Sequence, residues 1–400
     1  MIEITSLDHN GRGLGKLNNK IVFVENALPS EIVDLKIIKE KKNFIEAEVK
    51  SFIKKSTNRM ESACPYFNVC GGCDLLHMSY NEQLKFKKDK IKNIMNRYLN
   101  TKIKINEIVK SNNNFNYRNK TTFQVKEKIG FYKNKTYEIV PIDECLISHK
   151  IINNAIKNIE QLNLKDINKI ICRATDNELM IVLETNNSNL NIDILKKIAT
   201  SIYIKTNKEY ILVYGDKYIT NSLDNYKYLV SPQSFFQINK NICLKLYFKI
   251  KEYVGENKNV LDLYCGTGSI GIFVSKNNNV LGIEINDSAI KDAIKNKNLN
   301  NLKNIDFICG ESGNTLNNIK FNPDVIIVDP PRSGLSKETI ENILKFNPNT
   351  LIYVSCDPMT LARDLNLLNN KYNIIELTPY DMFPNTKHVE SLVLLKKKSN

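Results

Sequence analysis

The stretch V-L-D-L-Y-C-G-T-G-S-I-G, residues 260–271, decides the fold. A hydrophobic run containing Asp262 leads directly into Gly266, Gly268 and Gly271, where a helix-like segment begins. Glycines allow a tight backbone turn and a close approach to a ligand at the carboxyl edge of a parallel sheet. The spacing therefore predicts a ligand-binding loop between a strand and a helix.

The rest of the last third of the chain repeats this order. Strand-like runs alternate with helix-like stretches at 288–298 and 337–346, and the runs are NVLDLY, VLGIEI, DVIIVD and TLIYVS. This alternation is typical of a doubly wound parallel sheet. We therefore predict an α/β fold with a Rossmann-like domain over residues 231–400.

The loop fits one cofactor class better than another. Alone it could be a dinucleotide fingerprint, but Asp-x-x-x-Gly-x-Gly is the spacing of S-adenosylmethionine methyltransferases. Glu284 ends the next strand-like run, where it can accept hydrogen bonds from ribose hydroxyls. Cys265 lies inside the loop and fits a small packing residue. The sequence predicts an S-adenosylmethionine site.

The first part of the chain has a different rhythm. Residues 1–54 alternate short β-type runs with turn signals such as Asn10-Gly11, which predicts a small all-β barrel. Such barrels bind RNA or serve as interaction modules, and the pattern leaves both open. Residues 55–230 are expected to form a mixed α+β domain with a helix at Tyr80–Tyr98. The basic face of that helix fits a phosphate backbone or a solvated surface.

Charge limits the choice of partner. Lys and Arg outnumber Asp and Glu by 57 to 43, so the formal net charge is +14, which favours a polyanion over a small neutral substrate. The amino terminus lacks a signal-peptide pattern, and no apolar run is long enough to span a bilayer. We predict a cytoplasmic protein with no membrane partner. In a reducing compartment its nine cysteines should not form a disulfide framework, and those that are grouped are interpreted first as metal ligands or nucleophiles.

A second motif, VIIVDPPRSGL, ends a strand-like run in Asp329-Pro330-Pro331. Because a residue before proline is held extended, the Asp329 carboxylate should sit on a rigid turn above the cofactor edge. The related Asn/Asp-Pro-Pro-Tyr motif marks methylation of exocyclic amines on bases. Arg332 replaces the aromatic residue here, which counts against that reaction.

A third pattern joins VSCDP, residues 354–358, to HVES, residues 388–391. Carbon 5 of a pyrimidine is a weak nucleophile, and a thiolate that adds to carbon 6 converts the base into a reactive enolate. A base must then remove the proton from carbon 5. Cys356 and Glu390 could supply these two roles, although a cysteine after a strand can also simply pack. His388 has no assigned role.

Four further cysteines are grouped as three plus one: Cys64, Cys70, Cys73 and Cys145. Four thiolates suit an iron–sulfur cluster or a structural zinc ion. Zinc sites more often show two Cys-x2-Cys pairs, so this arrangement favours the cluster.

Taken together, these motifs resemble the bacterial RNA uracil-5-methyltransferases. The match is closer to the branch with an N-terminal TRAM domain and a 4Fe-4S cluster that methylates uridine in 23S ribosomal RNA. It covers the whole chain, in which the cysteine set and FFQIN, DLYCGTG, DPPR, SCDP and HVE occur.

This resemblance implies a role for each matching residue. Cys356 would be the nucleophile on carbon 6, Glu390 the base, and Asp329 a hydrogen-bonding partner of the uracil edge. The residues around S-adenosylmethionine would be Gln237, Tyr264, Glu284 and Asp329. The cluster ligands would be Cys64, Cys70, Cys73 and Cys145, with the cluster acting as a structural staple and a secondary RNA contact. RNA would be the partner of a monomeric protein.

Two positions depart from the family pattern. Asp357 stands where Asn is usual and adds a negative charge beside the thiol, which a cation such as Arg363 could offset. Ser269 stands where some members have Asn, so one cofactor contact is in question.

Three rival functions remain. The first is methylation of the T-loop uridine of transfer RNA, whose enzymes typically lack the barrel and the cluster cysteines. The others are a non-catalytic RNA-binding protein and an iron–sulfur electron carrier. Intact Cys356 and Glu390 disfavour the former, and the S-adenosylmethionine loop disfavours the latter.

Overall fold

The structure is a computed structural model that describes residues 1–187, 190–207 and 209–399. The helices are α1 (Tyr80–Tyr98), α2 (Lys150–Ile159), α3 (Asp193–Lys196), α4 (Lys240–Val254), α5 (Ser269–Val274), α6 (Asp287–Leu299), α7 (Ser312–Leu316), α8 (Lys337–Phe346) and α9 (Pro358–Leu368). None of the helices in these ranges is long and apolar enough to cross a membrane.

An amino-terminal sheet contains β1 (Ile2–Glu3), β2 (Ser6–Leu7), β3 (Gly13–Leu17), β4 (Lys20–Glu25), β5 (Ile32–Glu40) and β6 (Phe44–Lys54). Its order is β1-β5-β6-β4-β3-β2, and β4 pairs with β6 in parallel while the other pairs are antiparallel. Alternating apolar residues such as Val22, Val24, Ile45 and Ala47 fill its core. The β-type runs predicted from the sequence are confirmed here.

The central sheet contains β7 (Lys120–Val125), β8 (Ile129–Tyr132), β9 (Ile139–Pro141), β10 (Ile167–Ala174), β11 (Leu179–Thr185), β12 (Ser201–Lys205) and β13 (Tyr210–Gly215). Its order is β13-β12-β11-β10-β7-β8-β9. Isoleucines of α2 pack against the sheet, because positions 152, 156 and 159 share one face of the helix. A separate hairpin follows, formed by β14 (Ile219–Leu223) and β15 (Tyr226–Val230).

The carboxy-terminal sheet contains β16 (Asn259–Leu263), β17 (Asn279–Glu284), β18 (Ile305–Cys309), β19 (Val325–Val328), β20 (Thr350–Ser355), β21 (Tyr372–Tyr380) and β22 (Glu390–Lys397). Its order is β18-β17-β16-β19-β20-β22-β21. The first five strands in that order are parallel, β22 pairs antiparallel with β20, and β21 pairs antiparallel with β22. Both faces are covered by helices, as a parallel sheet requires. The predicted α/β class and doubly wound sheet are confirmed.

Packing crosses the domain boundary expected between residues 230 and 231. Helix α1 places Ile91, Ile94 and Met95 in the same core as β16, β19 and β20. Backbone bridges at Ile105 and Val109 attach the following segment to β21. The carboxy-terminal sheet is therefore completed by residues that lie far earlier in the sequence.

Candidate active site

The glycine loop leaves β16 at the carboxyl edge of the sheet. Tyr264, Gly266 and Gly268 all have positive φ, at 61°, 56° and 77°. At Gly268 a Cβ atom would lie 2.6 Å from the ring of Phe307, so the site accepts only glycine without rearrangement. The backbone thus turns sharply between β16 and α5.

Two carboxylates fix this loop from below. Asp262 is fully buried, and its Oδ2 accepts a hydrogen bond from the amide of Gly271 at 2.9 Å. Burial raises the pKa of Asp262 to about 8. Glu284, at the end of β17, accepts from the amide of Gly266 at 3.1 Å through Oε2 and from that of Asn286 at 2.9 Å through Oε1.

Tyr264 and Gln237, also predicted to contact the cofactor, have hydrogen-bond partners outside the glycine loop. The hydroxyl of Tyr264 lies 3.3 Å from that of Thr339 on α8. Gln237 is buried, and its backbone carbonyl accepts a hydrogen bond from the side-chain amide of Asn119 at 3.0 Å. Ser269 lies 2.7 Å from the hydroxyl of Tyr247, so this hydroxyl is engaged with α4.

Strand pairing brings Asp329 next to the glycine loop. Val328 is the register partner of Leu263 in the parallel pair β16–β19, and the amide of Asp329 donates to the Leu263 carbonyl at 3.4 Å. Tyr264 and Asp329 each directly follow this last pair, so they lie side by side where β16 and β19 end. The glycine loop and the Asp-Pro-Pro turn therefore begin next to each other.

Strand pairing also brings Cys356 to Glu390. Ser355 of β20 pairs with Ser391 of β22, so one step further along this antiparallel register Cys356 faces Glu390. The strand ends there because Asp357 caps α9, accepting hydrogen bonds from the amides of Met359 at 2.9 Å and Thr360 at 3.0 Å. Two residues 34 positions apart in the sequence thus meet at one edge of the sheet.

Electrostatics at this edge favour the protonated groups. Burial raises the pKa of the Cys356 thiol to about 11, and the charges of Glu390 and Asp329 add to the effect. Burial likewise raises the pKa of Asp329 to about 7, and that of Glu390 well above its usual range. The Arg332 guanidinium acts in the opposite direction on both Cys356 and Glu390.

The cation beside the thiol is thus Arg332, and the expected offset by Arg363 is wrong. Arg363 pairs with Asp364 at 2.7 Å and donates to the carbonyls of Ser333 and Leu335. Sequence reasoning had used Arg332 only to exclude amine methylation. The sequence analysis also did not single out Phe235. Its side chain is 65% exposed, and it lies two positions before the buried Gln237 in the chain. The signal was present in FFQIN, where Phe236 takes the buried position.

The four grouped cysteines line a single cavity of about 400 Å³. All four thiols are free and partly buried, and the set is Cys64, Cys70, Cys73 and Cys145. The amide of Gly72 donates to the Cys70 sulfur at 3.4 Å. Burial raises the pKa of the Cys73 thiol, and the charges of the other three cysteines add to this effect. Within the described ranges, no three His, Cys, Asp or Glu side chains are close enough together to hold a single metal ion.

A glycine loop held by the carboxyl groups of Asp262 and Glu284, together with a thiol beside a carboxylate, defines a Rossmann-like methyltransferase. Comparison with known proteins identifies the family. The model for tRNA (uracil-5-)-methyltransferases matches residues 79–398, and the TRAM domain model matches residues 1–50. The chain belongs to the tRNA (uracil-5-)-methyltransferase family and carries an amino-terminal TRAM domain.

Relatives match over nearly the full length. An uncharacterized RNA methyltransferase of Clostridium tetani is 36% identical over 98% of this chain and 95% of its own. Another from Staphylococcus aureus strain MRSA252 is 34% identical over 99% and 97%. The crystal structure of Pyrococcus abyssi tRNA (uracil-54, C5)-methyltransferase with S-adenosyl-L-homocysteine is 30% identical, has a TM-score of 0.83 and matches 99% of each chain.

These matches establish the enzyme class. The protein is an RNA (uracil-5-)-methyltransferase, and its methyl donor is S-adenosylmethionine. The archaeal structure covers 99% of this chain, including the barrel, and its name assigns it to transfer RNA. The presence of the barrel therefore does not by itself distinguish an enzyme for ribosomal RNA from one for transfer RNA. The expectation that transfer RNA enzymes lack the barrel does not hold for this relative.

Proposed function

We propose that this enzyme methylates carbon 5 of a uridine in 23S ribosomal RNA through a covalent adduct with Cys356. The observation that carries the mechanism is the position of Cys356 opposite Glu390 at the end of the β20–β22 pair. Asp329 and the glycine loop lie on the neighbouring strands of the same edge. A flipped uracil and the methyl donor would therefore meet at one place.

The reaction balances with these groups, the methyl donor and solvent. The Cys356 thiol releases its proton to water, the thiolate adds to carbon 6 of the uracil, and the resulting enolate attacks the sulfonium methyl through carbon 5. S-adenosylhomocysteine leaves. Glu390 then takes the proton from carbon 5, the double bond reforms and the Cys356 thiolate departs. The Asp329 carboxylate would accept a hydrogen bond from N3–H of the uracil and so orient the ring.

Arg332 favours ionisation of the Cys356 thiol, which burial and the nearby carboxylates disfavour. Burial and two carboxylates hold Cys356 in the thiol form, whereas a thiolate is the nucleophile. The Arg332 charge favours the thiolate and also favours an ionised Glu390. It would thereby raise the fraction of enzyme in which both groups are ready to react.

The substrate proposal depends on architecture. The TRAM domain and the four cysteines occur together, as in the family branch that acts on 23S ribosomal RNA. The second candidate, the T-loop uridine of transfer RNA, is favoured by one observation. The Pyrococcus abyssi enzyme, named for uridine 54 of transfer RNA, matches the whole chain.

Transfer of labelled methyl to separate pools of unmodified 23S ribosomal RNA and transfer RNA tests this proposal. We expect 5-methyluridine in the ribosomal pool and none in the transfer RNA pool. Label in transfer RNA alone would replace the proposal by the second candidate. Cys356→Ala should abolish incorporation into either pool, whereas retained incorporation would contradict the covalent mechanism. Cys309→Ser, which alters an exposed cysteine outside the proposed thiol–carboxylate pair, is the matched control.

We also propose that the cysteine cavity holds a 4Fe-4S cluster. Each cysteine of such a cluster binds a different iron, so the ligands stand farther apart than around one zinc ion. A cavity lined by four free thiols supplies one ligand for each iron of such a cluster. Cys64, Cys70, Cys73 and Cys145 would hold the cluster and tie their loops together.

Anaerobic purification followed by iron and sulfide analysis tests this assignment. We expect about four of each per chain, and loss of both in Cys73→Ser but not in Cys309→Ser. Zinc in place of iron would contradict the cluster while leaving the methyltransferase proposal untouched.

A further inference from the structure

One face of α1 points at the segment that precedes Glu390. This segment, residues 381–389, connects β21 to β22, and we call it the base loop. The side chains of α1 that contact it are spaced by three, four and three residues and so share a face: Tyr80, Gln83, Lys87 and Lys90. The basic helix predicted from the sequence to face RNA or solvent thus turns polar side chains inward.

The start of the base loop is held by a buried ion pair. Lys87 is fully buried, and its Nζ donates to Asp381 Oδ1 at 2.5 Å and to the carbonyl of Phe383 at 2.9 Å. The Tyr80 hydroxyl donates to Asp381 Oδ2 at 2.8 Å. A buried charge is costly unless paired, so these contacts leave little freedom in where the loop begins.

The middle of the loop is held by a reciprocal amide contact. Gln83 Nε2 donates to Asn385 Oδ1 at 3.1 Å, and the backbone N–H of Asn385 donates to Gln83 Oε1 at 3.0 Å. The amides of Asp74 and Leu75 both donate to the Asn385 carbonyl at 3.0 Å. Asn385 has a φ of 66°, and both it and Gln83 are buried. The turn in the loop is therefore fixed by side chains from outside it.

The end of the loop is held by Asp74. The amide of Lys387 donates to Asp74 Oδ2 at 3.1 Å, and its ammonium lies 3.2 Å from Oδ1. Lys90 Nζ donates to the Lys387 carbonyl at 3.0 Å. Lys387 is three residues before Glu390, and Asp74 directly follows Cys73. Asp74, which follows the cluster of cysteines, and Lys90 of α1 thus both hydrogen-bond to the backbone of Lys387.

These contacts add to what the sheet provides. Glu390, the first residue of β22, pairs with Tyr380 of β21, whereas the ladder to β20 extends only as far as Ser391. The backbone on the amino side of Glu390 belongs to the base loop. The loop and the pairing with Tyr380 therefore together set how the Glu390 side chain is presented to a uracil bound against Cys356.

We propose that Gln83, Lys87 and Asp74 are positioning residues that set Glu390 for removal of the carbon 5 proton. The inference rests on the covalent mechanism proposed above. Loss of positioning should slow proton removal while leaving thiol addition and methyl transfer in place. The intermediate that accumulates is then the RNA joined to Cys356 with carbon 5 already methylated.

The test compares single-turnover methyl transfer, steady-state turnover and the denaturant-stable protein–RNA adduct in Gln83→Ala. We expect a first turnover within about twofold of the unmodified enzyme, a steady-state rate lowered about tenfold or more, and methylated adduct on a denaturing gel. Gln161→Ala is the matched control, because its amide donates to the Lys157 carbonyl at the exposed end of α2. It should form no adduct.

A second variant guards against misfolding. Asn385→Gly removes the Oδ1 acceptor of Gln83 Nε2 while keeping the backbone N–H that donates to Gln83 Oε1, and glycine readily adopts the positive φ of this position. Thermal unfolding identifies whichever variant retains the fold. A folded variant that loses first and later turnovers equally, without adduct, would overturn the positioning role.

Glu390→Gln separates the two levels of proposal. Adduct in Glu390→Gln but not in the folded Gln83 or Asn385 variant overturns the positioning role alone. Adduct in none of the three overturns the covalent mechanism, and the positioning role with it. Adduct in all three supports both.

Discussion

Cys356 and Glu390 face each other across the open end of the β20–β22 pair, one residue beyond Ser355 and Ser391. Ser355 and Ser391 are the last pair of this ladder, and the charge of Glu390 acts on the Cys356 thiol, so the two side chains lie close together. Two side chains so placed can reach adjacent ring atoms of one planar base. The register of a single strand pair therefore supplies both the nucleophile and the base of the proposed reaction.

Arg332→Gln should move the pH dependence of kcat/KM to higher pH. Arg332 lowers the pKa of Cys356 and of Glu390, and both groups must lose a proton before they act. Removing the cation raises both pKa values, so the rising limb of the profile shifts upward. Arg332→Lys keeps the charge and should restore most of the original profile. Identical profiles for Arg332→Gln and the unmodified enzyme would show that this cation does not tune the pair.

The glycine loop and its flanking strands could be predicted from sequence because their signals are local. A hydrophobic run, a turn at fixed glycine spacing and a helix all lie within residues 260–271. The facing of Cys356 and Glu390 is different, since it requires β22 to insert antiparallel beside β20. The sequence pairs these two residues only through the chemistry they could perform together and through the family resemblance, and no spacing in the chain encodes that insertion.

The burial of polar residues on α1 could not be predicted from the sequence either, because it depends on contacts with residues far along the chain. The spacing of the helix predicted its ends at Tyr80 and Tyr98, which the structure confirms. Its polar residues looked like a surface because the partner of Lys87, Asp381, lies 294 positions later. A lysine in a basic run carries no local sign that a distant carboxylate will bury it.

Lys87→Met should destabilise the protein by about 3–5 kcal/mol, because it leaves the buried Asp381 carboxylate without its cation. Denaturant unfolding measures the loss. The double variant Lys87→Met/Asp381→Asn removes both charges and should recover part of it. Lys291→Met is the control, since its ion pair with Asp287 on α6 is exposed, and it should cost less than about 1 kcal/mol. Equal losses in the two single lysine variants would contradict a special role for the buried pair.

Gly268→Ala should weaken both folding and cofactor binding more than Gly266→Ala. Both positions have positive φ, which costs an L-residue about 1–2 kcal/mol. At Gly266 an added Cβ meets nothing within 4 Å, whereas at Gly268 it would lie 2.6 and 2.8 Å from ring atoms of Phe307. Denaturant unfolding and titration with S-adenosylhomocysteine measure the two effects. If Gly266→Ala proves as harmful, backbone strain rather than the Phe307 contact limits this loop.

Asp262→Asn should make stability less sensitive to pH between about 4 and 8. Burial raises the pKa of Asp262 from 3.8 to about 8, so the unfolded chain loses this proton at lower pH than the folded protein does. The unfolded state is therefore favoured progressively as pH rises through that window, and the contribution of Asp262 to stability falls. Asparagine has no proton to lose, and its side-chain oxygen can still accept the hydrogen bond from Gly271. Denaturant unfolding at pH 5 and pH 8 measures the difference. The variant should gain stability relative to the unmodified protein at the higher pH, and a gain at pH 5 instead would reverse the sign of this argument.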